Sequence, residues 1–249
     1  MVPAKKSIKA VLFDVGGPLD TETIMDREID EQIKSSFRSR GVAVTDGEYN
    51  VVVAWAVEVF APRTYDAIIW KIAGSDQGLA DSVLAELYET VPDRNKARGD
   101  FELRDGIPEL LEKLSRQGLL LGLAANQPSS TLNKLERVGI LRYFEYREVS
   151  DSTGLYKPDP RLLLHSCEGL GVLPEEAIMV GDRIDNDIVP AKMLGMGAIR
   201  FVSGRHAAQR PRSWAEAPHA DVHSVEELGR TIRRFVANPP DTPEDEAPE

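Results

Sequence analysis

Asp14 in FDVGGPLD, Asn126 in LGLAANQ, Lys157 in YKPDP, and Asp182 with Asp187 in VGDRIDND are the side chains whose types and settings point to chemistry. A carboxylate at the end of a strand can serve as a nucleophile or as a metal ligand. Two more carboxylates beside a glycine can complete an all-oxygen site of the kind Mg²⁺ favours, and a lysine in the same crevice would balance the charge. Phosphoryl transfer asks a protein mainly to position a group and neutralise charge, so a cation, an ammonium and backbone N–H donors around one carboxylate form a sufficient kit. Each stretch also has an ordinary reading. Asp14 could stabilise the Gly-Gly-Pro turn, KPDP could be a loop with Pro160 in the first turn of a helix, and the acids of VGDRIDND could cap the next helix. Asp185 is the bystander among them. The order in which all four occur carries more weight than any one alone.

Those residues need strands and helices to bring them together. Lys9 to Val15 is a β-branched and aromatic run closed by Gly16, Gly17 and Pro18, which predicts a buried strand ending in a tight turn at Asp14. From Asp20 to about Ala97 the apolar residues recur at helical spacing, through Ile24 to Phe37, Tyr49 to Phe60, Tyr65 to Ile72 and Ala80 to Thr90. Beyond Gly106 the two kinds of element alternate. A helix is expected over Ile107 to Gln117, a strand over Leu119 to Ala125, a helix over Ser129 to Val138 and a short strand around Phe144 to Val149. A helix over Asp159 to Gly169, the strand Ala177 to Val180, a helix over Asn186 to Leu194 and the strand Ala198 to Val202 follow. Short connections and wholly apolar strands predict an α/β fold: a Rossmann-like parallel sheet flanked by helices, with an all-helical segment inserted after the first strand. Such sheets bind ligands outside the carboxyl ends of their strands. The expected division is core over 1–19, helical insert over 20–99, core again over 100–237 and a disordered acidic tail over 238–249, a Pro-rich run without large apolar side chains.

Composition narrows the class. At 42% hydrophobic and 29% charged residues the chain is ordinary globular protein. A formal charge of -11 argues against nucleic acid as a partner, because that affinity comes from clustered Lys and Arg. The single Cys167 rules out an internal disulfide and a thiolate zinc site. His165, His206, His219 and His223 lack paired zinc spacing and receive no role. The N-terminal apolar run is too short for a signal peptide, and no segment reaches membrane-spanning length, so a cytoplasmic protein with no membrane partner is expected. Oligomeric state is not legible.

The succession of FDxxG, an Asn-containing turn after a strand, KPDP and VGDxxxxD resembles the four motifs of the haloacid dehalogenase-like hydrolase superfamily, over nearly the whole chain. The helical insert is similar to that family's mobile cap. The resemblance implies a Mg²⁺-dependent phosphatase for a small phosphorylated metabolite. In it Asp14 attacks phosphorus to form an aspartyl phosphate, and Lys157 holds the nucleophile and the phosphoryl oxygens. Asp14, Asp182, the Gly16 carbonyl and Asp187 would bind or orient the metal and its waters, while Asn126 and Gly17 would meet the phosphate.

The same resemblance exposes gaps. The second Asp that such phosphatases usually carry two residues after the nucleophile is Gly16 here, the following Thr is Pro18, and the hydroxyl residue expected before Asn126 is Ala125. Losing a general acid costs about 10² to 10⁴ in rate, and losing one hydrogen bond to a charged group about 1.5–3 kcal/mol. Weakened turnover is expected, unless a cap carboxylate such as Asp26 or Glu28 supplies the proton. The alternatives are a phosphate-ligand binding or regulatory protein with little turnover, a phosphonatase using Lys34 or Lys71 as a Schiff base, and a dehalogenase, which Asp182 disfavours. Trp55, Tyr65 and Trp70 are expected to be core aromatics of the cap.

Overall fold

Strand β1 (Ala10–Phe13) is buried along its whole length, as an apolar strand in the middle of a parallel sheet must be. The computed structural model describes residues 7–96 and 101–240. Helices α1 (Thr23–Ser39), α2 (Asp46–Glu58), α3 (Thr64–Ala73) and α4 (Gln77–Lys96) come next, followed by α5 (Ile107–Arg116) and β2 (Leu120–Leu123). Then come α6 (Ser130–Arg137), the single turn α7 (Ser150–Thr153), α8 (Arg161–Leu170) and β3 (Ala177–Gly181). The order ends with α9 (Val189–Met193), β4 (Gly197–Phe201), β5 (Ala220–Val222) and α10 (Val225–Ala237). The fold is α/β, with five strands in the order β2-β1-β3-β4-β5, every neighbouring pair parallel. The all-helical insertion follows β1.

The chain forms two compact units, Met1–Thr21 with Leu103–Ser203 and Pro211–Glu249, and Glu22–Glu102 with Gly204–Arg210. In the first, alternate strand residues Ala10, Leu12, Ala177, Met179 and Ala198 pack with Leu163 and Cys167 of α8 and Ala191 of α9. The period of two turns the intervening residues to the other face, on which α5 and α10 lie. Helix α5 buries Ile107, Leu110, Leu111 and Leu114, and α10 buries Leu228, Ile232 and Phe235 behind a Ser224 cap whose side chain accepts from the Glu227 N–H. Spacings of three and four residues put these groups on one stripe of each helix.

The second unit is built on Ile33, Phe37, Tyr49, Ile68, Ile69, Val83 and Leu87. Thr45 and Glu48 form a reciprocal capping box at the start of α2. Arg205, which follows β4 in sequence, belongs to this unit, with 8% of its side chain exposed. Its Nη2 donates to both oxygens of Asp30 at 2.9 Å, its Nε to Asp26 at 3.2 Å, and its guanidinium lies 5.1 Å from the Tyr65 ring. The Tyr49 hydroxyl donates to Asp30 at 2.7 Å.

Several expectations need correction. Phe144 to Val149 is no strand. It runs beside β2 with one bridge, Gly122 to Tyr146, because Glu145 and Tyr146 both donate to the Leu121 carbonyl and the ladder goes no further. The expected helix Asn186–Leu194 is a π-helical turn, Ile184–Ile188, running into the short α9. Strand β5 and helix α10 were not expected. Trp70 is 40% exposed and so is not a core aromatic. Most of the expected acidic tail, 241–249, lies outside the described residues. Among the described residues no helix is long and apolar enough to cross a membrane.

Candidate active site

The register of three strands assembles the site. Phe13 is paired with Leu123 of β2 and with Val180 of β3, so the chain leaves all three strands at one level. The Asp14 N–H donates to the Val180 carbonyl at 2.8 Å, and the Ala124 N–H to the Phe13 carbonyl at 2.9 Å. Asp14 is thereby set beside Gly181 and Asp182 on one side and the Ala124-Ala125-Asn126 turn on the other. The π-helical turn brings in Asp187, whose side chain is 0% exposed. One carboxylate oxygen from each of Asp14, Asp182 and Asp187 lies within 4.8 Å of the others.

Lys157 is the cation among them. Its Nζ is 3.0 Å from Asp14 Oδ2 and 2.5 Å from Asp187 Oδ1, with only 1% of its side chain exposed. Asp14 Oδ1 accepts from the Val15 N–H at 2.8 Å, and Asp187 Oδ2 from the Arg183 N–H at 2.9 Å. Burial pushes the Asp14 carboxyl up to about 6, with Lys157 opposing the rise and Asp187 adding to it. Burial works against the charge of Lys157 too, yet Asp14 and Asp187 together hold it above the ordinary lysine value. The ammonium therefore stays protonated while the carboxylates crowd one another.

Two glycines make room for this. Gly17 has φ 77°, and a Cβ there would come within 2.6 Å of the Asp182 side chain. A Cβ on Gly181 would collide with the Asp187 carboxyl group. Asn126 does something its motif did not announce. Its Nδ2 donates to the Lys157 carbonyl at 2.8 Å, and its Oδ1 accepts from the Lys157 N–H at 2.8 Å. The side chain clamps the peptide that carries the lysine, before a cis Lys157–Pro158 bond. An Asn in a turn gives no sign of a partner 31 residues on.

Asp14, Lys157, Asp182 and Asp187 thus converge, Asn126 is joined to Lys157, and Gly16 and Gly17 are buried in the turn that follows Asp14. In the helical unit, both oxygens of Asp26 accept hydrogen bonds, from Tyr65 and from Arg205. Lys34 is paired with Glu31 and Asp46, each at 2.6 Å, and its hydrogen bonds to them raise its pKa. That is the opposite of what a Schiff-base amine needs.

The pattern of haloacid dehalogenase-like hydrolases matches residues 8–195. Over 236 residues the chain is 28% identical to a glyceraldehyde 3-phosphate phosphatase of Methanopyrus kandleri, covering 92% of this chain and 99% of that protein. It is 38% identical over 178 residues to a phosphoserine phosphatase of Thermus thermophilus, covering 71% and 66% of the two. In structure it is similar to YfnB from Bacillus subtilis, solved bound to magnesium, with a TM-score of 0.61, 18% identity and coverage of 91% and 99%. At that identity the likeness speaks for the fold. With the motifs spread over most of its length and their side chains gathered at one end of a parallel sheet, the chain belongs to the haloacid dehalogenase-like hydrolase family.

Proposed function

We propose that this hydrolase is a cytoplasmic Mg²⁺-dependent phosphatase of small phosphorylated metabolites, working through an aspartyl phosphate on Asp14. The observation that carries the reading is the cluster itself: three carboxylates with oxygens within 4.8 Å, two of them also 3.0 and 2.5 Å from a buried lysine. The names of the relatives, glyceraldehyde 3-phosphate phosphatase and phosphoserine phosphatase, support that class of substrate. In this reading residues 1–19 and 100–237 supply the catalytic core and 20–99 the cap that selects the substrate.

The donor set fits a hard divalent cation. All candidate ligands are oxygens, from Asp14, Asp182, Asp187 and the Gly16 carbonyl, and the carboxylates outnumber the lysine that faces them. Magnesium bound there would neutralise phosphoryl and carboxylate charge. Asp14 forms the new bond to phosphorus as the bond to the departing oxygen breaks. Lys157 steadies the nucleophile and draws a phosphoryl oxygen to itself, helped by backbone N–H groups of Gly17 and Asn126. Water then attacks phosphorus, releasing inorganic phosphate and restoring the Asp14 carboxylate.

Gly16 brings no carboxyl group to the departing oxygen and Ala125 no hydroxyl to the phosphate, so turnover is weakened and not abolished. Enzymatic accelerations of roughly 10⁶ to 10¹⁷ leave room for both losses. The test is hydrolysis of an activated phosphate with and without Mg²⁺, by the native chain and by Asp14→Asn. Both Mg²⁺ and Asp14 should be required. Those same two positions favour a second reading, a phosphate-binding protein with little turnover, which tight phosphate binding without hydrolysis would establish instead.

A further inference from the structure

One side chain grips the turn after Asp14 from 87 residues away: Arg104 donates to the Gly17 carbonyl from Nε at 3.0 Å and from Nη2 at 2.8 Å. Nη2 also donates to Ser203 Oγ at 3.0 Å. The guanidinium lies 4.6 Å from the Phe201 ring at the end of β4. The main chain adds to the grip, since the Arg104 N–H donates to the Leu19 carbonyl at 2.9 Å. Asp20 and Asp182 are the charges that act on this guanidinium. Leu103 forms an antiparallel bridge with Asp20. All of these residues belong to the sheet unit.

The turn has little of its own to hold it. Gly16 and Gly17 are the residue type with most backbone freedom to lose, and Pro18 has no N–H to give. Its internal bonds include those from the Leu19 and Asp20 N–H groups to the Val15 carbonyl, at 3.1 and 2.9 Å, and a single bridge joins Gly16 to Asp20. A planar guanidinium offers two parallel N–H donors in a fixed fork, and a ring beneath it with a hydroxyl beside it sets the fork's direction. An ammonium offers a point charge without that geometry.

We infer that Arg104 is a positioning residue for phosphoryl transfer, holding the Gly16-Gly17-Pro18 turn so that the Gly16 carbonyl and Gly17 N–H are presented toward the Asp14 site. This rests on the phosphatase reading. The task falls to a distant arginine because the turn carries no side chain able to brace itself.

Arg104→Lys and Arg104→Gly in the full chain, assayed with p-nitrophenyl phosphate and Mg²⁺, test it. Arg104→Lys should lower kcat about 10- to 100-fold, the scale of a small misplacement, with KM changed by less than about 3-fold. Added guanidinium ion should restore much of the rate to Arg104→Gly and none to Arg104→Lys. By NMR, exchange of the Leu19 and Asp20 amides should quicken in Arg104→Lys, while that of Leu12 in β1 stays as it was. Unchanged kcat in Arg104→Lys overturns the inference, and so does unchanged exchange at Leu19 and Asp20. A rate loss that only follows the melting temperature, without guanidinium rescue, overturns it too. Should Arg104→Gly not fold, Arg104→Lys decides. If the native chain hydrolyses no phosphate, the phosphatase reading fails by itself and amide exchange still decides whether Arg104 orders the turn.

Discussion

Lys157 is held from two directions, by carboxylates at its tip and by Asn126 at its backbone, and the two kinds of contact make different demands. The tip contacts set charge. The clamp sets direction, and Asn126→Ala removes both of its hydrogen bonds at once. It should cost about 1–3 kcal/mol of stability and lower kcat more than it raises KM, as melting curves and steady-state kinetics would show; an unaltered kcat would reduce Asn126 to a loop residue. Gly16 makes the second demand at this scale. With no carboxyl group to protonate the departing oxygen, the rate should depend on how well that oxygen leaves unaided. Aryl and acyl phosphates should be turned over faster than alkyl phosphates, by up to about 10² to 10⁴, the worth of a general acid. Equal kcat/KM for a matched aryl and alkyl pair would show that some other group delivers the proton.

Among the elements, β3 carries the tightest constraint, because Gly181 ends the strand where the Asp187 carboxyl group folds back against it. Gly181→Ala should push Asp187 away from Lys157. We expect a loss of about 1–3 kcal/mol, typical of forcing extra atoms into a packed site, together with most of the activity, measured by denaturant melts and assay. The strands that matter here were legible because parallel strands buried on both faces write themselves as apolar runs: AVLF before Asp14, and AIMVG before Asp182. The insert was legible through its helical spacing, even in α2, whose apolar residues surround it and leave Val51 exposed. Phe144 to Val149 misled because its apolar residues, among them Phe144, Tyr146 and Val149, are buried without a ladder. The grip of Arg104 on Gly17 joins residues 87 apart, which local patterns do not encode.

For the whole molecule, the negative cluster ties stability to pH and cation. Burial raises the Asp14 pKa from 3.8 to about 6, so the folded chain holds that proton more tightly than the unfolded one. This contribution to stability is full below the unfolded value and is lost as pH rises through about 6. A cation that binds the carboxylate form acts in the opposite sense. Mg²⁺ should therefore raise the melting temperature more near pH 7.5 than near pH 5, approaching about 2.7 kcal/mol at a hundredfold excess over its Kd. An equal rise at both pH values would remove Asp14 from the cation's ligands. The central claim is that Asp14 takes the phosphoryl group, and mass spectrometry of acid-quenched protein during turnover of an activated phosphate in Mg²⁺ measures it most directly. The account predicts one phosphoryl group on the peptide containing Asp14, absent in Asp14→Asn and slow to decay because Gly16 offers no base to activate water. Continued hydrolysis with that peptide unmodified at every quench time, or with the label on another residue, would contradict it.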